Sequence, residues 1–196
     1  MISTPKHFGL YNDEELMVLL TQGEVEAFDE LYRRYADRLM YYFTRMFNYN
    51  KADAEDALHD LFLKLVQNPQ RFDAGRSFKT WIFSIASNQC KNYYRHQEVV
   101  KKSVSELGKE ADWQPEPDVG RLLSSMDLPS FRSLLEETLN ALSPEKKEAF
   151  ILRFQEDKRI SEIALLQNCP EGSVKSRLHY TLRILEDKLK HFHPNA

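Results

Sequence analysis

In the stretch FKTWIFSIASNQCKNYYR, residues 78–95, the side chains divide into two stripes at helical spacing. Steps of three and four residues join an apolar stripe, which predicts a helix with one face packed against a core. This stripe comprises Phe78, Trp81, Ile82, Ile85, Ala86, Cys90 and Tyr93. The opposite stripe comprises Ser84, Asn88, Lys91 and Arg95. Amides can bind bases or sugars and cations can bind phosphates, so the second stripe predicts either a nucleic-acid surface or an ordinary solvated face.

The distribution of charge favours the nucleic-acid interpretation more than the total charge does. The 196-residue chain has a formal net charge of −3, and nucleic-acid-binding proteins gain affinity by neutralising phosphates with Lys and Arg. Residues 76–102, however, carry six Lys/Arg against one acid. Residues 1–31 carry one Lys against seven acids, and 103–145 carry three Lys/Arg against nine acids. Positive charge is therefore concentrated between acidic stretches.

Apolar spacing along the rest of the chain predicts an all-α protein. Steps of three and four residues dominate, and no stretch alternates as a half-buried strand would. The predicted helices are roughly 12–22, 24–47, 52–67, 77–97, 131–141, 144–155, 160–167 and 171–191. Residues 98–131, which contain Pro115, Pro117 and Pro129, read as a flexible linker. We expect two small helical domains, at 10–97 and 132–192.

A loop before the 78–95 stretch carries an aromatic residue that can bind DNA. The segment NPQRFDAGRSF, residues 68–78, has the Pro, Gly, Asn and Asp residues of a loop. An exposed ring beside a cationic helix can stack on an unpaired base of single-stranded DNA, and Phe72 is placed to do so. The alternative is that the ring anchors the loop in the core, which is the interpretation that we adopt for Phe78.

The C-terminal domain has the order of a helix-turn-helix: a short helix, a tight turn and a longer helix. Ser143 is predicted to cap the helix that precedes the motif, with Pro144 in its first turn. Ser173 is predicted to cap the longer helix and to leave amides for a phosphate. The outward side chains of that helix are Lys175, Ser176, His179, Tyr180 and Arg183. Any helical hairpin with a Gly-containing turn gives a similar pattern.

Other features limit the class of protein. The longest apolar runs are too short to insert directly into a membrane, and the N-terminus lacks the pattern of a signal peptide, so we expect a cytoplasmic protein. Cys90 and Cys169 are far apart in sequence and are predicted to be reduced thiols. Asp56, His59 and Asp60 weakly suggest a metal carrier or enzyme, but no repeated ligand spacing supports one.

Three segments together resemble the sigma-70 superfamily of bacterial transcription initiation factors, specifically its two-domain extracytoplasmic-function group. They are AEDALHDLFLKL (54–65), FKTWIFSIASNQCKNYY (78–94) and LSPEKKEAFILRF with ISEIALLQNCPEGSVKSRLHYTLR (142–183). Their order matches the family, and the resemblance covers most of the chain. It implies that 10–97 is sigma region 2 and 132–192 sigma region 4. It also implies a protein without an active site, metal or other cofactor.

The resemblance implies core RNA polymerase as a partner. Helix 53–65 would dock on the clamp helices of the largest catalytic subunit, and the C-terminal domain would contact the flap of the second-largest subunit. The residues implied for clamp binding are Asp53, Asp56, Leu58, Asp60, Leu61, Phe62, Lys64 and Leu65. Acidic and apolar groups together suit an interface with a desolvated centre. Alternatively, the apolar members Leu58, Phe62 and Leu65 share one face and belong to the core.

The resemblance also implies promoter DNA as a partner. The loop at Phe72 would capture a flipped −10 base, and Asn88, Lys91 and Arg95 would hold the separated strand. Residues implied for −35 binding are Ser173, Lys175, Ser176, His179 and Tyr180, with Arg153 and Arg177 on the DNA backbone. An anti-sigma protein is implied as a further partner. The competing interpretation is a stand-alone helix-turn-helix regulator whose N-terminal domain senses a ligand or dimerises.

The helix-turn-helix departs from the family pattern at three places, of which the last is Tyr180 and Thr181, where Arg and Ala are common. Arg159 stands where relatives have a Ser or Thr cap, so Asp157 or Ser161 is expected to cap that helix, or its end to fray. Asn168, Cys169 and Pro170 replace a commoner Gly, aliphatic residue and Ser. Asn tolerates the left-handed backbone conformation, so we expect the turn to keep its geometry.

Overall fold

The protein is all-α throughout the residues that the structure, a computed structural model, describes, which are 7–106 and 128–192. Its helices are α1 (Asp13–Thr21), α2 (Val25–Met46), α3 (Lys51–Gln67), α4 (Phe78–Glu106), α5 (Leu128–Asn140), α6 (Pro144–Phe154), α7 (Ile160–Gln167) and α8 (Glu171–Leu189). Short 3-10 turns occupy Phe8–Leu10, Pro69–Arg71 and Lys190–Phe192. Within these ranges there is no strand, and the predicted fold class is confirmed.

The ends of α4 and α5 reach into the segment that the sequence assigns to the linker. Helix α4 continues to Glu106, because the residues after 97 contain no helix breaker before Gly108. Helix α5 begins at Leu128 and holds Pro129 in its first turn, where the missing amide hydrogen is tolerated. Residues 107–127, with Pro115 and Pro117, lie outside the described residues.

The chain divides into two compact units, Met1–Asn92 and Tyr93–Ala196. The N-terminal unit has an aromatic core. Tyr42, Phe43, Phe78 and Phe83 are among its largest fully buried side chains. The rings meet edge to face, with centroid distances of 5.6 Å between Tyr42 and Phe83 and 5.2 Å between Tyr35 and Phe78. Such contacts add to the free energy of apolar burial, so α2 and α4 are joined by a stable seam.

Helix α1 is attached to α2 and α4 by two neighbouring carboxylates. Asp13 accepts a hydrogen bond from the hydroxyl of Tyr35 and another from Arg34 Nη1 at 2.7 Å. Burial, followed by this hydrogen bond, raises the pKa of Tyr35. Glu14 Oε1 accepts from the backbone amide of Phe78 at 2.8 Å and so caps the N-terminus of α4 from a distant part of the chain.

Next to this attachment, the surface of α2 carries a carboxylate that accepts hydrogen bonds from two arginines. Glu30 accepts from Arg33 Nη2 at 2.7 Å and from Arg34 Nε at 2.7 Å. The hydrogen bond from Arg33 is the largest cause that lowers the pKa of Glu30, to about 2. Arg34 therefore links Glu30 on its own helix to Asp13 on α1. The lowered pKa keeps the Glu30 carboxylate ionised at any physiological pH.

The C-terminal unit has a smaller aliphatic core that includes polar and charged groups. Its buried apolar residues are Leu139, Ala149, Ile151, Leu152, Ile163, Ala164, Leu166, Val174, Leu178 and Leu185. Lys147 and Lys158 are also buried. Lys147 Nζ donates to Asn140 Oδ1 at 2.7 Å, and Lys158 Nζ lies 3.5 Å from Glu162 Oε1. Both cations therefore have polar partners, as burial requires.

Two predicted helix caps in this unit are wrong. The hydroxyl of Ser143 accepts no capping hydrogen bond at the start of α6, although Pro144 does occupy the first turn. Neither Asp157 nor Ser161 caps α7. Instead, Glu162 Oε2 accepts from the backbone amide of Arg159 at 2.8 Å, which uses a side chain inside the helix to satisfy a group at its start.

Candidate nucleic-acid interface

Helix α4 presents the two stripes that its sequence predicts. Phe78, Ile82, Ala86 and Cys90 are buried, and Trp81, Ile85 and Tyr93 are half-buried on the same side. On the other side Asn88 and Arg95 are exposed, while Ser84 and Lys91 are half-buried. The packed stripe fixes the rotation of the helix, and an amide and two cations consequently face outward along one line.

The loop before α4 holds Phe72 in the core. Only 9% of the residue is exposed. Its ring lies 5.6 Å from Phe78 and 5.2 Å from Trp81, measured between centroids. The expectation of an open ring ready to stack on a base therefore does not describe this conformation, because burial against two aromatic residues is more favourable than exposure to water. Phe78 is fully buried, as predicted.

Helix α3 separates the residues predicted for polymerase binding into two groups. Leu61, Phe62 and Leu65 are buried, so the core interpretation describes Phe62 and Leu65 in this conformation, and Leu61 is buried with them. Phe62 contacts Phe28 and Tyr32 of α2, with centroid distances of 5.9 and 4.7 Å. The remaining members stay accessible: Asp56, Asp60 and Lys64 are exposed, and Asp53 and Leu58 are half-buried.

An apolar groove between α2 and α3 was missed by the sequence reasoning. It encloses about 400 Å³ and is lined by Phe28, Tyr32, Glu55, Leu58, His59, Phe62, Leu63 and Val66. Leu63 is 43% exposed and Val66 46% exposed. A second row of apolar residues beside the buried Leu61–Leu65 row was the available signal, because such a row lies outside the packed face of a helix.

Helices α7 and α8 form the predicted helix-turn-helix. Asn168 ends α7 in the left-handed conformation, with φ of 51° and ψ of 53°, so the turn keeps its geometry as expected. The outward residues Lys175, Ser176, His179 and Tyr180 are all exposed on α8. Val174 and Leu178 are buried on its other side. The exposed set occupies the half of α8 nearest the turn.

Ser173 has a different place from the one predicted. Helix α8 begins at Glu171 after Pro170, and Ser173 lies inside its first turn, with its own amide bonded to Pro170 O at 2.9 Å. Ser173 is therefore not the helix cap. Proline provides no side-chain acceptor, so the first turn of α8 lacks the predicted capping hydrogen bond.

The two arginines predicted for the DNA backbone have different surroundings. Arg153 Nη1 donates to Lys158 O at 3.2 Å and thereby closes the turn between α6 and α7. Arg177 Nη1 lies 2.6 Å from Gln167 Oε1 and 3.2 Å from Cys169 Sγ. Its side chain is thus held against the end of α7, whereas neighbouring Ser176 is exposed.

No metal centre or membrane span is found in the described part of the chain. Within residues 7–106 and 128–192, no three His, Cys, Asp or Glu side chains are grouped as metal ligands would be. No helix in those ranges has both the length and the apolarity to cross a bilayer. Cys90 and Cys169 form no disulfide.

Comparison with known proteins agrees with this architecture. The family described as Sigma-70 region 2 matches residues 31–99, and Sigma-70, region 4 matches residues 132–185. The RNA polymerase sigma factor CarQ of Myxococcus xanthus is 31% identical over 80% of this chain and 86% of its own. The ECF RNA polymerase sigma-E factor of Haemophilus influenzae is 29% identical over 91% of this chain and 95% of its own. The chain belongs to the sigma-70 family, in its extracytoplasmic-function group.

Solved structures of similar proteins share the fold of this sigma factor. CnrH, in a complex with the cytosolic domain of CnrY, has a TM-score of 0.64 at 20% identity and covers 91% of this chain and 97% of its own. The sigma factor RpoE of Bartonella quintana, in a complex with the anti-sigma factor NepR, has a TM-score of 0.62 at 23% identity and covers 83% and 96%. Membership of the family decides for transcription initiation over the stand-alone regulator, and sigma factors are initiation factors rather than enzymes.

Proposed function

We propose that α8 reads the −35 element of the promoters that this sigma factor serves. The supporting observation is the row of exposed polar side chains on the turn-proximal half of α8, above a helix-turn-helix with the required turn. A recognition helix enters the major groove with this end and contacts base edges there. Lys175 can donate to guanine, while Arg153 and Arg177 contact phosphates on either side.

The outward stripe of α4 binds the separated strand at the −10 element. Asn88 contributes an amide, and Lys91 and Arg95 contribute cations beside the loop that carries Phe72. Base capture requires the Phe72 ring to leave its contacts with Phe78 and Trp81. Binding energy from the captured base offsets the cost of unstacking, which is about a few kcal/mol. Strand opening therefore needs no nucleotide hydrolysis and no active site in this chain.

Core RNA polymerase binds the exposed part of α3 and the neighbouring groove. Asp56, Asp60 and Lys64 form a charged rim, and Leu63 and Val66 provide apolar surface next to it. A charged rim around an apolar centre is the usual composition of a protein interface. This assignment replaces the buried Leu61, Phe62 and Leu65 by exposed neighbours as the groups that touch the clamp helices. The C-terminal domain, 132–192, binds the flap of the second-largest subunit.

An anti-sigma protein controls access to these surfaces. The structural neighbour from Bartonella quintana is bound to an anti-sigma factor, which motivates the same type of partner here. The anti-sigma partner and core polymerase would compete for the purified protein if both bind the exposed surface of α3.

Run-off transcription with purified core polymerase and a promoter library tests the function. Asn88→Ala is expected to make promoter opening less favourable by roughly 1–3 kcal/mol. Lys175→Ala is expected to change the discrimination between −35 sequences by roughly 1–3 kcal/mol. Lys188→Ala, at an exposed lysine in the last turn of α8, is the matched control for Lys175→Ala. Unchanged promoter preference in the Lys175→Ala protein would remove the assignment of α8.

Association with core polymerase is measured separately. Asp56→Lys reverses a charge on the proposed rim and is expected to weaken the complex with core polymerase by about tenfold. Asp37→Lys reverses an exposed charge on α2 and is the matched control. Equal affinities of the two variants for core polymerase would contradict the docking surface on α3.

A further inference from the structure

Gln167, the last residue of α7, joins three parts of the helix-turn-helix through its side-chain amide. Its Nε2 donates to Glu145 O at 2.8 Å and to Glu148 Oε2 at 3.0 Å. Its Oε1 accepts from Arg177 Nη1 at 2.6 Å. Gln167 is only 8% exposed. The amide therefore connects the first turns of α6 to the recognition helix α8.

The orientation of this amide follows from its partners. A backbone carbonyl and a carboxylate face one end of Gln167, and both are acceptors, so that end must be the NH₂ group. The opposite end must then be the carbonyl oxygen, which faces a cation. Hydrogen bonds that involve a charged group are shorter and stronger than neutral ones, and the 2.6 Å contact agrees with that.

Arg177 is restrained by this amide on the side of α8 next to the turn. Its Nη1 contacts both Gln167 and Cys169, on either side of Asn168. A guanidinium has further N–H donors on Nε and Nη2, in a fixed planar arrangement. Holding Nη1 therefore sets the direction of the other donors. A preordered arginine loses less rotamer freedom when it binds a phosphate than a mobile one.

We propose that Gln167 is a positioning residue, which holds Arg177 in the orientation that contacts a phosphate of the −35 element. The proposal rests on the proposed role of α8, and extends it to a residue that does not itself touch DNA. Gln167 acts through Arg177, so replacing Gln167 is expected to weaken −35 binding only while Arg177 is present. The expected loss in affinity is about three- to tenfold, the effect of ordering one long side chain.

The first test follows the guanidinium of Arg177 in the free full-length protein by ¹⁵N NMR. Slow rotation about the Cζ–Nη1 bond is expected in the wild type, because Nη1 is bonded at 2.6 Å, and faster rotation in Gln167→Met. Methionine has a similar length and no strong donor or acceptor. Fast rotation in the wild type would overturn the proposal without recourse to any variant. Rotation that is equally slow in Gln167→Met would overturn it too.

The second test is a double-mutant cycle on binding of the reconstituted holoenzyme to a fluorescent −35 duplex. Gln167→Met should weaken binding about three- to tenfold in the wild-type background and leave it unchanged in the Arg177→Ala background. Arg177→Ala should also reduce the slope of log K against log salt by about 1. Equal losses from Gln167→Met in both backgrounds would overturn the positioning role.

A matched control separates positioning from general destabilisation. Thr138→Val removes another hydrogen bond that a buried residue of the same unit makes, from Thr138 Oγ1 to Leu134 O at 2.7 Å, and is expected to leave −35 binding unchanged. If Thr138→Val weakens binding as much as Gln167→Met, the proposal is overturned. If Arg177→Ala binds the duplex as tightly as the wild type, the phosphate contact itself is wrong. A normal loss in Arg177→Ala without one in Gln167→Met overturns only the role of Gln167.

Discussion

The largest fully buried side chains of the N-terminal unit are aromatic or aliphatic, such as Tyr42, Phe43 and Phe83, whereas those of the C-terminal unit include Lys147 and Lys158. Helices α2 and α4 are long enough to build an apolar seam between them. The C-terminal unit has shorter helices, and a small domain buries a smaller share of its surface. Its polar interior groups therefore join helix ends and turns that apolar packing covers less completely.

The two units differ in how far the residues that stabilise the fold are distinct from the residues proposed to bind DNA. On α4, the residues proposed to bind DNA lie on the side opposite to the buried stripe, whereas Phe72, in the loop before α4, is itself buried. In the C-terminal unit, Gln167 and Arg177 connect the buried network to the recognition helix. Substitutions on the outward side of α4 should therefore change DNA binding without changing stability, whereas substitutions of Gln167 or Arg177 should change both.

The largest expected effect is the loss of the aromatic seam. Phe78→Ala removes a fully buried ring that contacts Tyr35, Phe72 and Trp81, and is expected to destabilise the N-terminal unit by about 3–5 kcal/mol. Hydrogen exchange measured by mass spectrometry should show faster exchange across α2 and α4, with α6 to α8 unchanged. Phe154→Ala, at an exposed phenylalanine, is the control and should change protection little.

A buried cation in the C-terminal unit should come next. Lys158→Met removes the buried cation that lies 3.5 Å from the carboxylate of Glu162, and is expected to destabilise that unit by about 2–3 kcal/mol. Lys190→Met breaks an ion pair of similar length, 3.4 Å to Asp187, at an exposed site, where about 1 kcal/mol or less is expected. Urea unfolding followed by helical circular dichroism compares the two. Equal losses in the free energy of unfolding would mean that burial does not determine how strongly these ion pairs stabilise the protein.

A third prediction concerns Phe72, where core and proposed binding site overlap. Phe72→Leu keeps most of the buried volume, so the free energy of unfolding should fall by less than about 1.5 kcal/mol. A leucine offers no aromatic face, so promoter opening should fall by roughly 1–3 kcal/mol in free energy. Permanganate reactivity of −10 thymines measures the open complex.

Phe47→Leu is the control for this prediction. Phe47 is also buried in the N-terminal unit, against Phe43 at 5.6 Å, and should tolerate leucine without any effect on opening. Equal losses of opening in both variants would show that Phe72 acts through stability alone.

The sequence predicted which stretches are helical better than it predicted which side chains are accessible. All eight helices are confirmed, because apolar spacing records one packed face in each. Helix α3 has apolar residues on more than one side. Spacing placed Phe62 and Leu65 on a possible core face, but it did not show that Leu61 is buried as well while Leu63 is exposed. The outward stripe of α4 was predictable because its polar residues contrast sharply with the buried ones.

Contacts between distant residues were the part that the sequence could not predict. Nothing near Glu14 or Phe78 indicates that one caps the helix that the other begins, since 64 positions separate them. Gln167 likewise stands at a helix end where an exposed side chain would be ordinary. Local rules predicted a cap at Ser143, and the structure satisfies the helix without it. The residues named for DNA and polymerase remain predictions that the experiments above decide.

The smallest expected effect compares a long-range cap with a local one. Glu14→Ala removes the acceptor for the amide of Phe78 and a negative charge at the N-terminus of α4, which should destabilise the N-terminal unit by about 1 kcal/mol. Ser143→Ala should change the C-terminal unit by less than about 0.5 kcal/mol, because its hydroxyl accepts no capping bond. Glu14→Gln keeps an acceptor without the charge, so its free energy of unfolding divides the effect between hydrogen bond and dipole. If Ser143→Ala destabilises its unit as much as Glu14→Ala does, Ser143 acts as the cap that its local sequence predicts. The long-range cap from α1 would then stabilise α4 no more than a local cap stabilises α6.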